Sequence, residues 1–363
     1  MTQTAIPFLF MRGGTSRGPY FNRADLPEDL DKLAEVLISV CGSGHALNID
    51  GIGGGNAVTT KVAMLSVAQD DWADVDYFFA QVNPDEHLVD YKPTCGNILS
   101  GVGQAAMELG LIAPTGNRAS VKINAVNTGA RVIAEFETED GKPVFHGATA
   151  IDGVPGTHAP VTLKFLDVAG SSTGAFLPTG NLRDTIDGIE VTCMDVAMPM
   201  VIARASDFGK DGTESREALD ADTEFFAKFE AVRLKAGALM GMGDCSKSVT
   251  PKFGLIAPAS KGGDIAVRYF MPWTTHPTLA VTGGQCMAAC ALTPGTIADG
   301  MMDRPASPAT LMMEQPLGVI ELVTEYEISE EGFNHVSGGL TRTARLLARG
   351  EVMVPTHVWD GTK

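Results

Sequence analysis

Glycine and proline divide this chain into short segments in which apolar and polar residues alternate. The 363 residues include 41 glycines and 20 prolines. Alternation with a period of two puts every second side chain on one face, which predicts strands joined by tight turns. The segments with this pattern are Ala5 to Met11, Val58 to Val67, Val75 to Val82, Ser120 to Val126 and Val132 to Phe136.

Four other segments carry apolar residues at the three- and four-residue spacing of a helix. Pro27 precedes the first, and Gly110 and Gly237 are suited to end the second and third in a left-handed conformation. The predicted fold class is α+β, with strands in the majority and one short apolar helix within each half. The predicted helices are Glu28 to Cys41, Asn97 to Leu109, Glu217 to Ala236 and Gly283 to Leu292.

The length predicts about two domains, at ~150 residues each. In the first half, Pro93 to Asn97 leads from an extended segment into a helix, and His276 to Gly284 does the same in the second half. The repeat is weak, so internal duplication and chance similarity both stay open. A duplication would place two helix N-termini across a cleft, where a substrate with carboxylates binds well.

Charge and composition exclude several classes of function. The net charge of −17 argues against binding to nucleic acid or to an anionic membrane surface. No apolar run approaches the ~18 residues of a membrane span, and no secretory signal is visible, so we expect a cytoplasmic protein. The six cysteines include no CxxC pair and the histidines show no metal-ligand spacing, which predicts buried thiols and no metal.

Cys95 is the best candidate for a reactive side chain. It stands between Pro93-Thr94 and Gly96-Asn97-Ile98, where an extended segment ends and a helix begins. Unpaired backbone N–H groups and the helix dipole stabilise a thiolate at that position.

Lys61 is the second candidate. It follows the glycine-rich segment Asp50 to Gly55, which lacks the pattern of a nucleotide-binding loop, and it starts the apolar segment Val62 to Val67. A lysine among apolar neighbours is poorly solvated, which favours the neutral amine and a role as a base. A strand lysine that simply extends into solvent is the alternative.

The segment Met11 to Gly18 follows the first predicted strand and combines two arginines with two hydroxyls. Such a loop suits a carboxylate, which arginine binds through paired hydrogen bonds. An ordinary surface turn is equally compatible with these residues.

Several long motifs, taken together and in order, resemble the 4-oxalomesaconate tautomerase and methylaconitate isomerase family over essentially the whole chain. They are Met11 to Gly18, Ile49 to Gly54, Thr60 to Val62, Asp76-Tyr77, Cys95 to Ile98, Asp152 to Gly156, Leu177 to Gly180 and Arg342 to Arg345.

The resemblance implies a diaminopimelate epimerase fold, in which two similar domains each wrap a mostly antiparallel, barrel-like sheet around a central helix. The expected domains are residues 1–182, completed by a C-terminal strand at about 347–363, and residues 183–346. The resemblance also implies an active site in the cleft between them, no metal, no cofactor and a homodimer.

Epimerases of this fold use one cysteine at each helix start, and this chain departs from that pattern. The first cysteine matches Cys95, but the second position falls at Thr282, whose hydroxyl is too weak an acid to replace a thiol. The Asn-Pro-His segment of the epimerases corresponds to Met198-Pro199-Met200. An amino-acid epimerase is therefore disfavoured.

One cysteine and one lysine suit the movement of a proton between two carbons. The resemblance implies a 1,3-allylic isomerisation of the tricarboxylate 4-oxalomesaconate, with Lys61 as base and Cys95 as proton donor. Keto-enol tautomerisation of the same compound and isomerisation of methylaconitate are the alternatives, and a non-enzymatic tricarboxylate-binding protein is a different class. The expected substrate-binding residues are Arg12, Gly13, Gly14, Thr15, Ser16, Thr60, Gly96, Asn97, Arg268, His276, Thr282, Gly283 and Gly284.

Overall fold

The chain divides into two compact units. A computed structural model describes residues 2–113, 116–271, 273–330 and 332–362. Unit 1 contains the residues up to Lys164 and those from Thr341 onward, and unit 2 contains Phe165–Leu340. The sequence placed the boundaries at 182 and 347.

Unit 1 consists of three helices and a sheet that includes the end of the last strand. The helices are α1 (Leu30–Cys41), α2 (Gly96–Leu99) and α3 (Val102–Glu108). The strands are β1 (Gln3–Gly13), β2 (Ser16–Asn22), β3 (Lys61–Val67), β4 (Val75–Val82), β5 (Val89–Asp90), β6 (Arg118–Ala125), β7 (Ala130–Glu139), β8 (Lys142–Pro143), β9 (Pro160–Leu166) and the second half of β17 (Gly332–Pro355).

The strand pairings of unit 1 form a closed ring. The order is β17, β1, β2, β3, β4, β6, β7 and β9, and β9 pairs again with β17. The pair β2–β3 and the pair β4–β6 are parallel, whereas β1–β2, β3–β4 and β6–β7 are antiparallel. Closure leaves this sheet without a free edge along the ring.

The two faces of this sheet pack against different helices. Phe21, Val62 and Ala80 belong to one apolar cluster with Leu33 and Leu37 of α1. Since side chains alternate along a strand, their neighbours in sequence point the other way, towards α2 and α3. Residues 98–106 of these two helices are buried throughout, so they form the interior of the ring.

Unit 2 repeats this arrangement with its own helices and strands. The helices are α4 (Arg216–Asp220), α5 (Thr223–Leu239) and α6 (Val281–Leu292). The strands are β10 (Asp184–Ile186), β11 (Ile189–Asp195), β12 (Pro199–Arg204), β13 (Lys252–Pro258), β14 (Ile265–Phe270), β15 (Ala309–Gln315), β16 (Gly318–Ser329) and the first half of β17.

The order of pairings shows that the two units share one topology. In unit 2, β12–β13 and β14–β15 are parallel, and β11–β12, β13–β14 and β15–β16 are antiparallel. The helix α5 packs on one face of the sheet with an aromatic cluster, and residues 283–292 of α6 are buried. The predicted α+β class, with a repeated sheet around a buried helix, is confirmed.

The predicted element bounds differ from the structure at points set by local packing. The left-handed Gly110, with φ of 71°, follows α3 as predicted. Gly237 does not end its helix: it lies inside α5, and a Cβ there would be 2.8 Å from Cys245 Sγ. The predicted helix from Glu217 is two helices, because the Asp222 side chain accepts from the backbone N–H of Phe225 and starts α5.

Candidate active site

Cys95 caps the start of α2. Its backbone is extended, with φ −134° and ψ 106°, and its side chain makes no capping hydrogen bond. The thiol is half-buried, whereas the other five cysteines are buried. Tyr77 Oη donates to the Cys95 carbonyl oxygen at 3.4 Å, which anchors the peptide on β4. Cys95 is therefore the accessible thiol of this chain, and it stands next to unpaired helix N–H groups.

The turn between β1 and β2 lies directly on the start of α2. Thr15 N donates to Asn97 Oδ1 at 3.4 Å. A Cβ on Gly13 would be 2.4 Å from Asn97 O, and one on Gly14 would be 2.2 Å from Asn97 Oδ1. Gly14 also has φ of 51°. The two glycines thus bring the turn against Asn97, two residues from Cys95.

Arg12 and Ser16 flank this turn with different roles. Arg12 Nη1 donates to Gly14 O and to Thr343 O, both at 2.9 Å. Burial lowers the Arg12 pKa, and the neighbouring Arg345 lowers it further. The Arg12 side chain projects from the face of β1 opposite to Gly13, so it supports the turn from the side away from Asn97. Ser16 is buried, and its Oγ has no hydrogen-bond partner among the residues that the structure describes.

Lys61 begins β3 directly opposite Gln81 of β4. Its Nζ donates to Gln81 Oε1 at 2.9 Å and lies 5.3 Å from the centroid of the Phe79 ring. Thr60 is buried and its hydroxyl donates to Val82 O at 2.8 Å. The Thr60 hydroxyl therefore links the start of β3 to the end of β4, and its proton is used in that bond and not available to a substrate.

One face of β4 connects Lys61 with Cys95. Tyr77 and Phe79 project on the same side, with ring centroids 6.3 Å apart. Phe79 lies against Lys61 Nζ, and the Tyr77 hydroxyl lies against Cys95. Burial raises the pKa of Tyr77 well above its usual range, and the nearby Cys95 raises it further. Tyr77 is therefore neutral near pH 7, and Lys61 and Cys95 lie at the two ends of this pair of rings.

Gly18 offers a test of how tightly β2 is held against the start of β3. A Cβ on Gly18 would be 1.7 Å from Lys61 O, which is a backbone atom. We expect Gly18→Ala to lower the free energy of unfolding by about 1–3 kcal/mol, as overpacked sites do. The matched control is Gly350→Ala on β17, where a Cβ meets nothing within 4 Å. Equal denaturation midpoints for the two variants would contradict this packing.

Unit 2 places His276 and the start of α6 together. The helix begins at Val281 after the cap residue Ala280, so Thr282 lies exposed in the first turn. A Cβ on Gly283 would be 2.2 Å from Tyr269 Cε2, and the His276 ring packs edge-on against the same tyrosine.

The His276 ring is neutral and has one fixed orientation. Burial lowers its pKa, while Nδ1 accepts from the backbone N–H of Thr278 at 3.0 Å. In the neutral ring the proton therefore lies on Nε2, which becomes a hydrogen-bond donor. His276, Thr282 and Gly283 are thus brought together within unit 2.

Arg268 is not part of that group. It is 2% exposed, and it donates to Glu214 O at 2.8 Å and to Val267 O at 2.7 Å. Its neighbour Tyr269 faces α6, so Arg268 projects from the other face of β14. Burial lowers the Arg268 pKa although nearby carboxylates raise it. The expectation that Arg268 binds substrate beside His276 does not fit this placement.

Two polar residues beside these groups were missed by the sequence analysis. Gln81 contacts Lys61 only because of the register between β3 and β4. Lys252 begins β13 as Lys61 begins β3, and burial lowers its pKa. The repeated lysine at the start of equivalent strands was visible in the sequence once the two halves were aligned.

The described part of the chain contains no group of three or more His, Cys, Asp or Glu side chains arranged to hold a metal ion. The same ranges contain no helix with the length and apolar character that crossing a membrane requires.

A family model described as PrpF protein matches residues 3–355. The chain belongs to the PrpF family. Over 362 residues it is 44% identical to the 4-oxalomesaconate tautomerase of Pseudomonas putida, with 99% of each chain covered. It is also 44% identical to the (4E)-oxalomesaconate Delta-isomerase of a Novosphingobium species, covering 96% of this chain and 98% of the relative.

A solved structure of methylitaconate-delta-isomerase has the same fold as this PrpF-family chain. The TM-score is 0.90 at 33% identity, and 99% of this chain and 97% of the other are covered. The resemblance inferred from the motifs is confirmed, and the protein is an isomerase.

Proposed function

We propose that this PrpF-family isomerase catalyses a 1,3-allylic shift on 4-oxalomesaconate. The product is 2-keto-4-carboxy-3-hexenedioate, in which the double bond has moved next to the ketone. The observation that carries the proposal is the placement of Lys61 and Cys95 on one face of the unit 1 sheet. The names of two relatives at 44% identity support the choice of substrate.

Lys61 acts as the base in this proposal. The methylene next to the ketone is the most acidic carbon of the substrate, and the neutral amine removes its proton. The electron pair of the C–H bond enters a dienolate, whose charge extends to the ketone oxygen. Phe79 and the apolar strand β3 shield this nitrogen from bulk water on the side away from substrate.

Cys95 delivers a proton to the distal carbon of the original double bond. The thiol S–H bond breaks as the new C–H bond forms, and the electrons of the dienolate become the relocated double bond. Thiolate and ammonium remain, and both return to their starting forms by proton exchange with water.

Each unit, taken by itself, holds hydrogen-bond donors that are candidate partners for a substrate carboxylate. In unit 1 they are the hydroxyl groups of Thr15 and Ser16 with Gly96 and Asn97, since the Gly14 N–H already donates to Thr343 O at 2.9 Å. In unit 2 they are His276 Nε2–H and the first turn of α6 at Thr282 and Gly283, since the Gly284 N–H already donates to Ala280 O at 2.8 Å. All of these are hydrogen-bond donors, as carboxylate recognition requires.

The wider setting is part of the proposal. The reaction belongs to protocatechuate 4,5-cleavage in the degradation of lignin-derived aromatics. We propose a cytoplasmic homodimer that needs no cofactor. The net charge of −17 supports a small-molecule partner and disfavours nucleic acid.

Keto-enol tautomerisation is the second candidate, because a relative at 44% identity carries that name. Isomerisation of methylaconitate is the third, and it would use the same lysine and cysteine. Tautomerisation leaves the carbon–carbon double bond in its original position, and methylaconitate isomerisation acts on a different acid.

Proton NMR in deuterium oxide distinguishes these reactions. We expect purified protein to convert 4-oxalomesaconate into a product with a vinyl proton next to the ketone and a single deuterium at the distal carbon. A vinyl signal at the original position, with exchange only beside the ketone, would indicate tautomerisation. If 4-oxalomesaconate is unchanged but methylaconitate is converted, the proposed substrate is wrong.

A further inference from the structure

Gln81 makes the one side-chain hydrogen bond of Lys61 among the described residues. The distance from Lys61 Nζ to Gln81 Oε1 is 2.9 Å. The two residues face each other across the antiparallel pair of β3 and β4, so their side chains leave the sheet on the same side. The contact is therefore built into the strand register.

The amide of Gln81 has a single orientation. Its Nε2 donates to Ala57 O at 3.1 Å and to Val82 O at 3.2 Å, with Thr60 O at 3.4 Å. These three are carbonyl oxygens, which accept and do not donate, and a fourth partner, Thr60 Oγ1 at 3.4 Å, already donates its own proton to Val82 O. Rotation of the amide by 180° would set its oxygen against them, so Oε1 must face Lys61.

A neutral acceptor suits a lysine that works as a base. An amide oxygen accepts one N–H from either the ammonium or the neutral amine, so it orients the nitrogen in both states. A carboxylate in the same place would stabilise the ammonium and hold the proton on lysine. Glutamine at position 81 thus orients the nitrogen and opposes its loss of a proton less than a carboxylate would.

We propose that Gln81 is a positioning residue for Lys61: its Oε1 takes one N–H of the amine, so that the nitrogen lone pair points away from β4 and towards the substrate carbon. This rests on the proposed role of Lys61 as base. No bond is made or broken by Gln81 in the reaction.

Other titratable groups on this side of the strands do not compete for that role. They are Tyr20 of β2, Tyr77 of β4, Cys95 before α2 and Asp90 of β5, which lies opposite Gln81 and whose Oδ1 already accepts from Lys92 N at 2.9 Å. Burial raises the pKa of both tyrosines well above their usual range, with Cys95 raising each further. Both phenols are neutral near pH 7, and the Tyr20 hydroxyl donates to Ile98 O at 2.6 Å.

Two substitutions of Gln81 separate positioning from a structural role. Gln81→Met keeps the length of the side chain and removes the acceptor, and we expect kcat to fall by about 10²-fold with KM within about two-fold. The acid limb of the kcat/KM profile should move to lower pH. Gln81→Glu supplies a negative partner, so that limb should move to higher pH by about one unit or more.

The matched controls are Gln315→Met and Gln315→Glu. Gln315 is a buried strand glutamine of unit 2 whose Oε1 accepts from Leu317 N at 3.0 Å. Neither control should move the acid limb. A loss of stability alone lowers the amount of folded enzyme but does not change the pH at which kcat/KM falls on the acid side. An unshifted acid limb in both Gln81 variants would therefore overturn the proposal.

A second measurement needs no turnover. Lysine labelled with ¹³C at Cε is titrated by NMR, and the Lys61 signal is assigned by its absence in Lys61→Met. Opposite displacements of its titration midpoint in Gln81→Met and Gln81→Glu support the contact, and identical midpoints overturn it. If the wild-type protein does not convert 4-oxalomesaconate, the proposed function fails while this titration still decides the role of Gln81.

Discussion

Lys61→Met is expected to lower the rate of 4-oxalomesaconate isomerisation by about 10³-fold or more. Methionine fills much of the same volume beside Phe79, but it has no basic nitrogen to take the methylene proton. The Gln81 amide would keep its three carbonyl partners, so the fold around β3 should persist. Initial rates followed by proton NMR, together with the melting temperature, measure both effects.

Lys122→Met is the matched control for that loss. Lys122 is also a strand lysine whose Nζ lies over an aromatic ring, 6.0 Å from Trp72, but it is exposed on β6. Its removal should leave kcat within about two-fold, since exposed substitutions away from a site have small effects. Ordinary turnover by Lys61→Met would eliminate Lys61 as the base.

Cys95→Ser should separate the two halves of the reaction. A serine hydroxyl is a far weaker acid than a thiol, so protonation of the distal carbon should slow by about 10³-fold. Lys61 is unchanged, so removal of the methylene proton should continue. In deuterium oxide we therefore expect exchange beside the ketone above the enzyme-free rate and no deuterium at the distal carbon.

Cys245→Ser makes the same substitution at a thiol outside the site. Cys245 is buried in unit 2 and its Sγ already faces Met242 O and Gly243 O at 3.9 and 3.7 Å, so a hydroxyl there finds acceptors. This variant should place deuterium at the distal carbon at the wild-type rate. Distal deuterium at that rate in Cys95→Ser as well would exclude Cys95 as the proton donor.

Features that depend on a few consecutive residues were predictable from the sequence. Pro93-Thr94 followed by Gly96 predicted that Cys95 starts a helix, and the structure has Cys95 as the cap of α2. The strand Val75–Val82 has the predicted bounds, because six of its eight residues are apolar or aromatic. Local dihedral preference and periodicity decide such elements.

Features that depend on strand register or on the face of a strand were not predictable in this way. Gln81 reaches Lys61 through a pairing of two strands, and nothing in its own neighbourhood in sequence indicates that partner. Arg268 was expected to bind substrate, like His276, from its position relative to the family motifs. Adjacent residues of β14 lie on opposite sides of the sheet. Tyr269 lies on the side that faces α6, so Arg268 lies on the other side.

Glycine had two meanings that the sequence does not distinguish. Gly110 ends a helix through its left-handed backbone, whereas Gly237 is required inside α5 because Cys245 passes close to it. The first meaning is local and the second depends on a loop eight residues away. The candidate site shows both kinds, since Gly14 combines a positive φ with close approach to Asn97.

The last strand has a consequence for the order in which the protein is made. Residues of β1 from Gln3 to Gly13 pair with Pro355 back to Ala344 of β17, so unit 1 needs a segment that is synthesised after all of unit 2. At about 5–20 residues per second, β1 emerges from the ribosome on the order of ten seconds or more before this partner exists. Pro7, in the middle of β1, has no backbone N–H to offer a wrong partner during that wait. Unit 2, as one continuous segment, is free to fold first.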